Sequence, residues 1–123
     1  EKDSLFLRGI AVVGVWMRGK LSHPADIARE SCYFRARRSR LPKGRSMGCT
    51  FVNPAGISAG ELIERCGLKG ARRGGAVVSG QHANFILNEG ASGSDVAALI
   101  AFVKEQVEKQ TGIALREEIR RIP

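Results

Sequence analysis

Gly48-Cys49-Thr50-Phe51-Val52-Asn53-Pro54, followed closely by Ser58-Ala59-Gly60-Glu61-Leu62-Ile63 and then Gly67-Leu68-Lys69-Gly70, decides how this chain is read. A thiol stands between a glycine and a hydroxyl residue, four positions before an asparagine. The stretch predicts a loop through Gly48 to Gly56 that carries chemistry rather than packing. Ser58 is placed to cap a short helix holding Leu62 and Ile63, and Gly67 to stop it. Asn53 before Pro54 is also a plain turn signal, so its amide has a local use open to it.

Downstream, Ala76-Val77-Val78 and Phe85-Ile86-Leu87 read as two short strands joined around Gly80-Gln81-His82. The clearest element is a helix from Ser94 to about Gln110, with Val96, Leu99, Ile100, Val103 and Val107 at helical spacing and Gly112 as its stop. Ile113-Ala114-Leu115 and Ile119 to Ile122 suggest one or two terminal strands. Upstream, Ile10 to Met17 reads as a buried strand. Ser22 or His23 before Pro24 then opens a helix with Ile27 and Phe34 on its apolar side and an arginine-rich last turn, ended by Leu41-Pro42-Lys43-Gly44. The sum is an α+β domain, a small sheet packed with about three helices.

The 123 residues carry a formal charge of +8, clustered at Arg35 to Arg45, at Arg72-Arg73 and at Arg116 to Arg121. Nucleic acid, a smaller anionic ligand such as a nucleotide diphosphate, and a merely solvated basic face all remain open to such a pattern. Tyr33 and Phe34 adjoin the first cluster, but no row of aromatic stacking platforms follows. Three cysteines at wide spacing and two histidines define neither a disulfide framework nor a zinc site. No apolar run is long enough to cross a bilayer. A cytoplasmic setting is expected, and Glu1-Lys2-Asp3 reads as the middle of a longer protein. Gly14 to Lys20 imitates a phosphate loop, but Leu21 stands where a magnesium-binding hydroxyl is required.

Cys32 and Cys66 fall within helices and read as small buried hydrophobes. Cys49 differs because its thiol, mostly protonated at neutral pH, can give up a proton or act as a nucleophile. A hydrolytic role would need a base, for which His82 is the realistic partner. His82 could equally be a satisfied loop histidine. Near the other end, strand alternation puts Glu118 and Arg120 on one face, opposite Ile119, where carboxylate and guanidinium could engage one ligand.

Taken in order, the quoted motifs, with Gly74-Gly75-Ala76-Val77-Val78-Ser79, His82-Ala83-Asn84-Phe85-Ile86-Leu87-Asn88 and Leu115 to Ile122, resemble the C-terminal part of the MurB family, the UDP-N-acetylenolpyruvoylglucosamine reductases of peptidoglycan synthesis. The resemblance implies a cytoplasmic flavin reductase that uses FAD and NADPH to reduce an enolpyruvyl ether on UDP-GlcNAc, with neither membrane nor nucleic acid as partner. It implies that residues 1–20 end a preceding flavin-binding domain and that 21–123 form the C-terminal substrate-binding domain. Cys49 falls on the family's proton donor and Glu118 on its C-terminal glutamate. Arg40, Asn53 and His82 fall with the substrate contacts, Arg120 joins them through the strand face it shares with Glu118, and Lys2 is grouped with them, standing where the family carries a catalytic arginine. Val52 departs from the motif, where lysine is common. The resemblance implies a fragment with no turnover of its own.

Overall fold

Ser58 and Ser92 each offer a hydroxyl where a helix leaves backbone donors unpaired, and in the computed structural model, which describes residues 13–120, both caps form. Ser58 Oγ accepts the Glu61 N–H at 3.1 Å and opens helix α2 (Ala59–Arg65). Ser92 and Asp95 satisfy each other's backbone N–H groups in a reciprocal capping box that opens α3 (Gly93–Thr111). Both helices stop where expected: Gly67 follows α2 and Gly112 closes α3, each with the left-handed φ that a side chain disfavours.

The chain divides between Phe34 and Arg35 into two units, each described here by itself. Helix α1 (Pro24–Ser39) runs across that division and begins at His23, whose carbonyl accepts the Asp26 and Ile27 N–H groups. It buries none of its residues. Ile27 and Phe34, expected on an apolar packed side, are exposed, and so is Cys32. The strand expected over Ile10 to Met17 also fails where it can be followed. Residues 10–12 lie outside the described residues, and Val13 to Met17 are exposed with no regular structure. A strand needs a neighbour for its backbone groups, and the described sheet recruits none of these residues.

The second unit holds a four-stranded antiparallel sheet in the order β1-β4-β3-β2. The two anticipated strands are its centre, β3 (Ala76–Val78) and β4 (Phe85–Asn88). The edges, β1 (Ser46–Cys49) and β2 (Arg72–Arg73), were not anticipated, because short polar edge strands carry almost no hydrophobic signal. Phe51, Ile63, Val78, Leu99, Ile100, Val103 and Val107 are at most 2% exposed and form the heart of the core between sheet, α2 and α3. Val96 packs against its edge, and so does Cys66, half-buried at the end of α2 rather than enclosed. The expected terminal strands reduce, among the described residues, to a single bridge between Phe51 and Glu117.

Candidate functional site

The register of β1 against β4 decides where the thiol goes. Ser46 pairs with Leu87 and Cys49 with Phe85, so β1 spends one more residue than its partner between the two pairs. That extra residue is a β-bulge, and Gly48 absorbs it with φ at 82°. Bulges re-aim the side chain that follows. Cys49, at the end of the edge strand, is exposed, while Thr50 and Phe51 turn inward and are buried. Cys49 is thus a strand-end residue, not the mid-loop residue expected, and its solvent access comes from the bulge.

The segment after β1 is stitched on two sides. On one side, Glu118 N–H donates to Thr50 O and Val52 N–H donates to Arg116 O, both at 2.9 Å. Burial along this segment alternates: Leu115, Glu117 and Ile119 turn in, while Arg116, Glu118 and Arg120 turn out. Glu118 and Arg120 therefore share the outward face, as alternation predicts. Glu117 turns toward α3 and accepts from Lys104 Nζ at 3.2 Å. Glu118 lies close enough to act on the thiol. Partial burial, and then the negative charge of Glu118, push the Cys49 pKa above its ordinary value. Although the residue is accessible, protein around the sulfur removes part of its water, and the result is a thiol held protonated at neutral pH.

On the other side stands Asn84, 2% exposed. Its carbonyl accepts the Thr50 N–H at 2.8 Å; its side-chain oxygen accepts the Phe51 N–H and its side-chain N–H donates to Phe51 O, each at 2.8 Å. Its own backbone N–H donates to His82 Nδ1 at 3.3 Å. With Nδ1 accepting, the proton of the neutral imidazole sits on Nε2. The half-buried ring meets Phe85 edge-on at 5.0 Å between centroids. It lies against Gly60 in the first turn of α2, where a Cβ would come within 3.1 Å of His82 Cε1. No hydrogen bond joins His82 to Cys49 among the described residues. Together with the upward shift of the thiol pKa, this removes the geometric basis for a thiolate nucleophile with histidine as its base.

Asn53 faces the same turn of α2: its side-chain oxygen accepts the Ala59 N–H at 3.0 Å, closing the Asn53–Pro54 turn onto the helix. The turn-forming use of this amide is therefore real, and it fixes the oxygen so that the amide N–H₂ is the end left to project. Arg40 is exposed just past the end of α1, with its backbone N–H donating to Arg37 O. Arg120 rims a groove of about 390 Å³ whose floor is Met47, Val96, Ile100 and Ile119. An adjoining hollow of about 200 Å³ shares Met47 and Val96. Lys2 lies outside the described residues. The structure thus brings Cys49, Glu118 and the Asn84–His82 link together and sets Asn53 beside His82 at the start of α2.

Several basic residues have internal uses. Arg72 pairs with Glu89 at 2.8 Å, Arg65 with Glu61 at 2.6 Å, and the Arg73 guanidinium lies 3.9 Å over the Phe102 ring. Among the described residues no cluster of metal-ligating side chains forms, and no helix is long and apolar enough to cross a membrane.

Sheet, bulge and caps thus define an α+β domain that holds a protonated thiol at a strand end beside a carboxylate. Residues 40–122 match the family described as UDP-N-acetylenolpyruvoylglucosamine reductase, C-terminal domain, and the chain belongs to that family. The Nitrosospira multiformis UDP-N-acetylenolpyruvoylglucosamine reductase is 44% identical over 113 residues, covering 87% of this chain and 32% of that protein. The protein of the same name from Protochlamydia amoebophila is 51% identical over 82 residues, covering 66% of this chain and 27% of its own length. The crystal structure of MurB from Thermus caldophilus superposes with a TM-score of 0.72 at 37% identity, covering 85% of this chain and 37% of that one. The chain spans about a third of the length of the relatives it matches.

Proposed function

We propose that this chain is the substrate-binding portion of a cytoplasmic reductase that converts UDP-GlcNAc-enolpyruvate to UDP-N-acetylmuramate for peptidoglycan synthesis, and that Cys49 is its proton donor. In this reading residues 1–20 end a flavin-binding domain and 21–123 are the substrate-binding domain. In this reading FAD and NADPH are held mainly by the rest of such a protein, of which this chain spans about a third. In the family those cofactors supply the hydride that adds to the β-carbon of the enolpyruvyl group. What this chain supplies is the other half of the addition: the S–H bond of Cys49 breaks, a C–H bond forms at the α-carbon, and solvent returns a proton to the thiolate.

The reading is carried by the family match over residues 40–122 together with the bulge that brings Cys49 out, exposed, at the end of β1; the state of the thiol agrees with it. A nucleophilic cysteine needs its pKa lowered, whereas burial and Glu118 raise that of Cys49. An acid must hold its proton until the carbon is ready to take it, and the arrangement at β1 does that. Glu118 acts on the same centre from the outward face of the terminal segment. Arg40, the Asn53 amide N–H₂, His82 Nε2–H, Arg120 and, near the start, Lys2 are donors and cations suited to a diphosphate, a sugar and an enolpyruvyl carboxylate.

The test is made in the full-length parent enzyme. Cys49→Ser keeps a donor and retains substantial turnover, whereas Cys49→Ala loses about 10²–10⁴-fold, the worth of a positioned acid. Flavin reduction by NADPH stays the same in both, because it precedes protonation. Normal turnover in the alanine variant would refute the assignment.

A further inference from the structure

We infer that Asn84 is the positioning residue of this site: its side chain stands in for a missing strand and holds the segment that follows Cys49, while its main chain ties that segment to His82. The inference rests on the reading of Cys49 as proton donor and adds a residue to it.

An amide side chain carries an acceptor and a donor side by side, as a backbone residue in a sheet does. Past Thr50, whose N–H donates to the Asn84 carbonyl, the main-chain pairing of this segment with the β4 side has ended. Phe51 would therefore present its N–H and C=O to a buried region with no strand to pair them, a costly state for both groups. Asn84 supplies both partners from one side chain, at 2.8 Å each, while its own carbonyl takes the Thr50 N–H. The two residues following the thiol are thereby fixed to a single residue across 33 positions of sequence. The direction in which Cys49 leaves the bulge follows from where Thr50 and Phe51 are held.

The same residue reaches the imidazole through its N–H bond to His82 Nδ1. That bond selects the tautomer with the proton on Nε2. Asn84 Cβ also shares with the His82 ring the space over Gly60, where an added Cβ would be 3.6 Å from one and 3.1 Å from the other. A buried asparagine between Ala83 and Phe85, both buried, has no reason to be polar unless its amide is used. Here its oxygen and one of its N–H groups are both spent on Phe51, two residues past the thiol.

The test uses the full-length, flavin-loaded enzyme. Asn84→Asp preserves shape and the acceptor for Phe51 N–H, but the ionised carboxylate sets an oxygen against Phe51 O. Only the neutral acid restores a donor there. We expect kcat at neutral and alkaline pH to fall up to about 10²-fold, the scale of a small misplacement of a reacting group. KM should change less, and flavin reduction by NADPH should be unaltered. As pH falls and the buried carboxyl takes up a proton, kcat recovers toward wild type. His82, Cys49, Glu118 and the Glu117–Lys104 pair, the titratable groups of the segments around residue 84, are present in both enzymes, so the difference between the two profiles isolates the substitution. An Asn84→Asp enzyme with a wild-type kcat profile, or a loss that scales with folded protein and shows no recovery at low pH, overturns the inference. Should that variant fail to fold, Asn84→Ser carries the test. Site-resolved alkylation must then show a severalfold change at Cys49 with none at Cys66, and equal rates at both overturn the inference. Cys49→Ala is measured alongside: if it turns over normally the donor assignment is lost, whereas the alkylation of Cys49 still reads the hydrogen-bonded link itself.

Discussion

Gly75→Ala should unfold this domain at markedly lower denaturant, although it adds one methyl group at a surface turn. Gly75 closes the hairpin between β2 and β3, and its carbonyl accepts the Glu89 N–H at 2.8 Å. A Cβ there would lie 2.4 Å from Ala91 N, 2.5 Å from Gly90 C and 2.8 Å from Ala91 Cα. Ordinary contact begins near 3.4 Å, so hairpin and loop must separate by 1.0 Å, the difference between 3.4 and 2.4. All three atoms are backbone, and no rotamer change relieves them. Overpacking of this kind costs about 1–3 kcal/mol, and weakening the Gly75–Glu89 bond adds about 1 kcal/mol. The expected loss is about 2–4 kcal/mol, a large share of the roughly 5–15 kcal/mol that holds a small domain together. With a urea m-value of about 1–3 kcal/mol/M, the midpoint should drop by about 0.7–4 M. Far-UV circular dichroism in urea measures it, with Gly80→Ala, where nothing lies within 4 Å, as the control. Equal midpoints for the two variants would refute the steric argument.

Replacing Glu118 by Gln removes the smaller of the two influences on the Cys49 thiol. The pH midpoint of Cys49 alkylation should therefore fall, yet stay above the ordinary thiol value because burial persists; an unchanged midpoint would separate the two residues. Arg40→Ala should weaken UDP-sugar binding by calorimetry in the parent enzyme, whereas Arg73→Ala should leave binding alone and cost about 0.5–1 kcal/mol of stability through its lost contact with the Phe102 ring. Ser92→Ala should cost about 1 kcal/mol by removing the cap of α3, read as a shift in thermal midpoint. Hydrogen bonds from Ser92 hold the Asp95 carboxyl below the usual carboxylate range, so its contribution is complete above the unfolded-state pKa and disappears as pH falls through the lower folded value. Acid titration of Asp95→Asn, with a weaker pH dependence than wild type, checks that sign.

The elements built on strong local signals were legible in sequence. Ser58, Gly67 and Gly112 act within one helical turn, and the apolar spacing from Val96 to Val107 leaves little choice but a buried helix face. Ala76–Val78 and Phe85–Asn88 were legible because central strands are apolar. β1 and β2 were not, since Ser46–Cys49 and Arg72–Arg73 owe their conformation to the neighbour they pair with. Val13 to Met17 misled in the opposite direction: β-branched residues favour a strand only where a partner is present. At the site, Cys49 and the outward pairing of Glu118 with Arg120 could be read from residue type and alternation. Asn84 could not be given a role, because its partners lie 33 positions away. Its one signal was polarity inside an apolar run. The helical turn shared by Asn53 and His82 likewise depends on Gly60, whose lack of a side chain has meaning only once the imidazole is beside it.

The pairing of residues 50–52 with 116–118 has a consequence for biosynthesis. Chains leave the ribosome from the N-terminus, at about 5–20 residues per second, so the Cys49 strand is exposed for some time before Glu118 exists. The Thr50–Glu118 and Phe51–Glu117 contacts close a loop of more than sixty residues, and nothing shorter can replace them. Until that closure the sulfur lacks its neighbouring carboxylate. The last increment of its acid character therefore arrives with the end of the domain, and an interrupted nascent chain carries this thiol without the influence of Glu118.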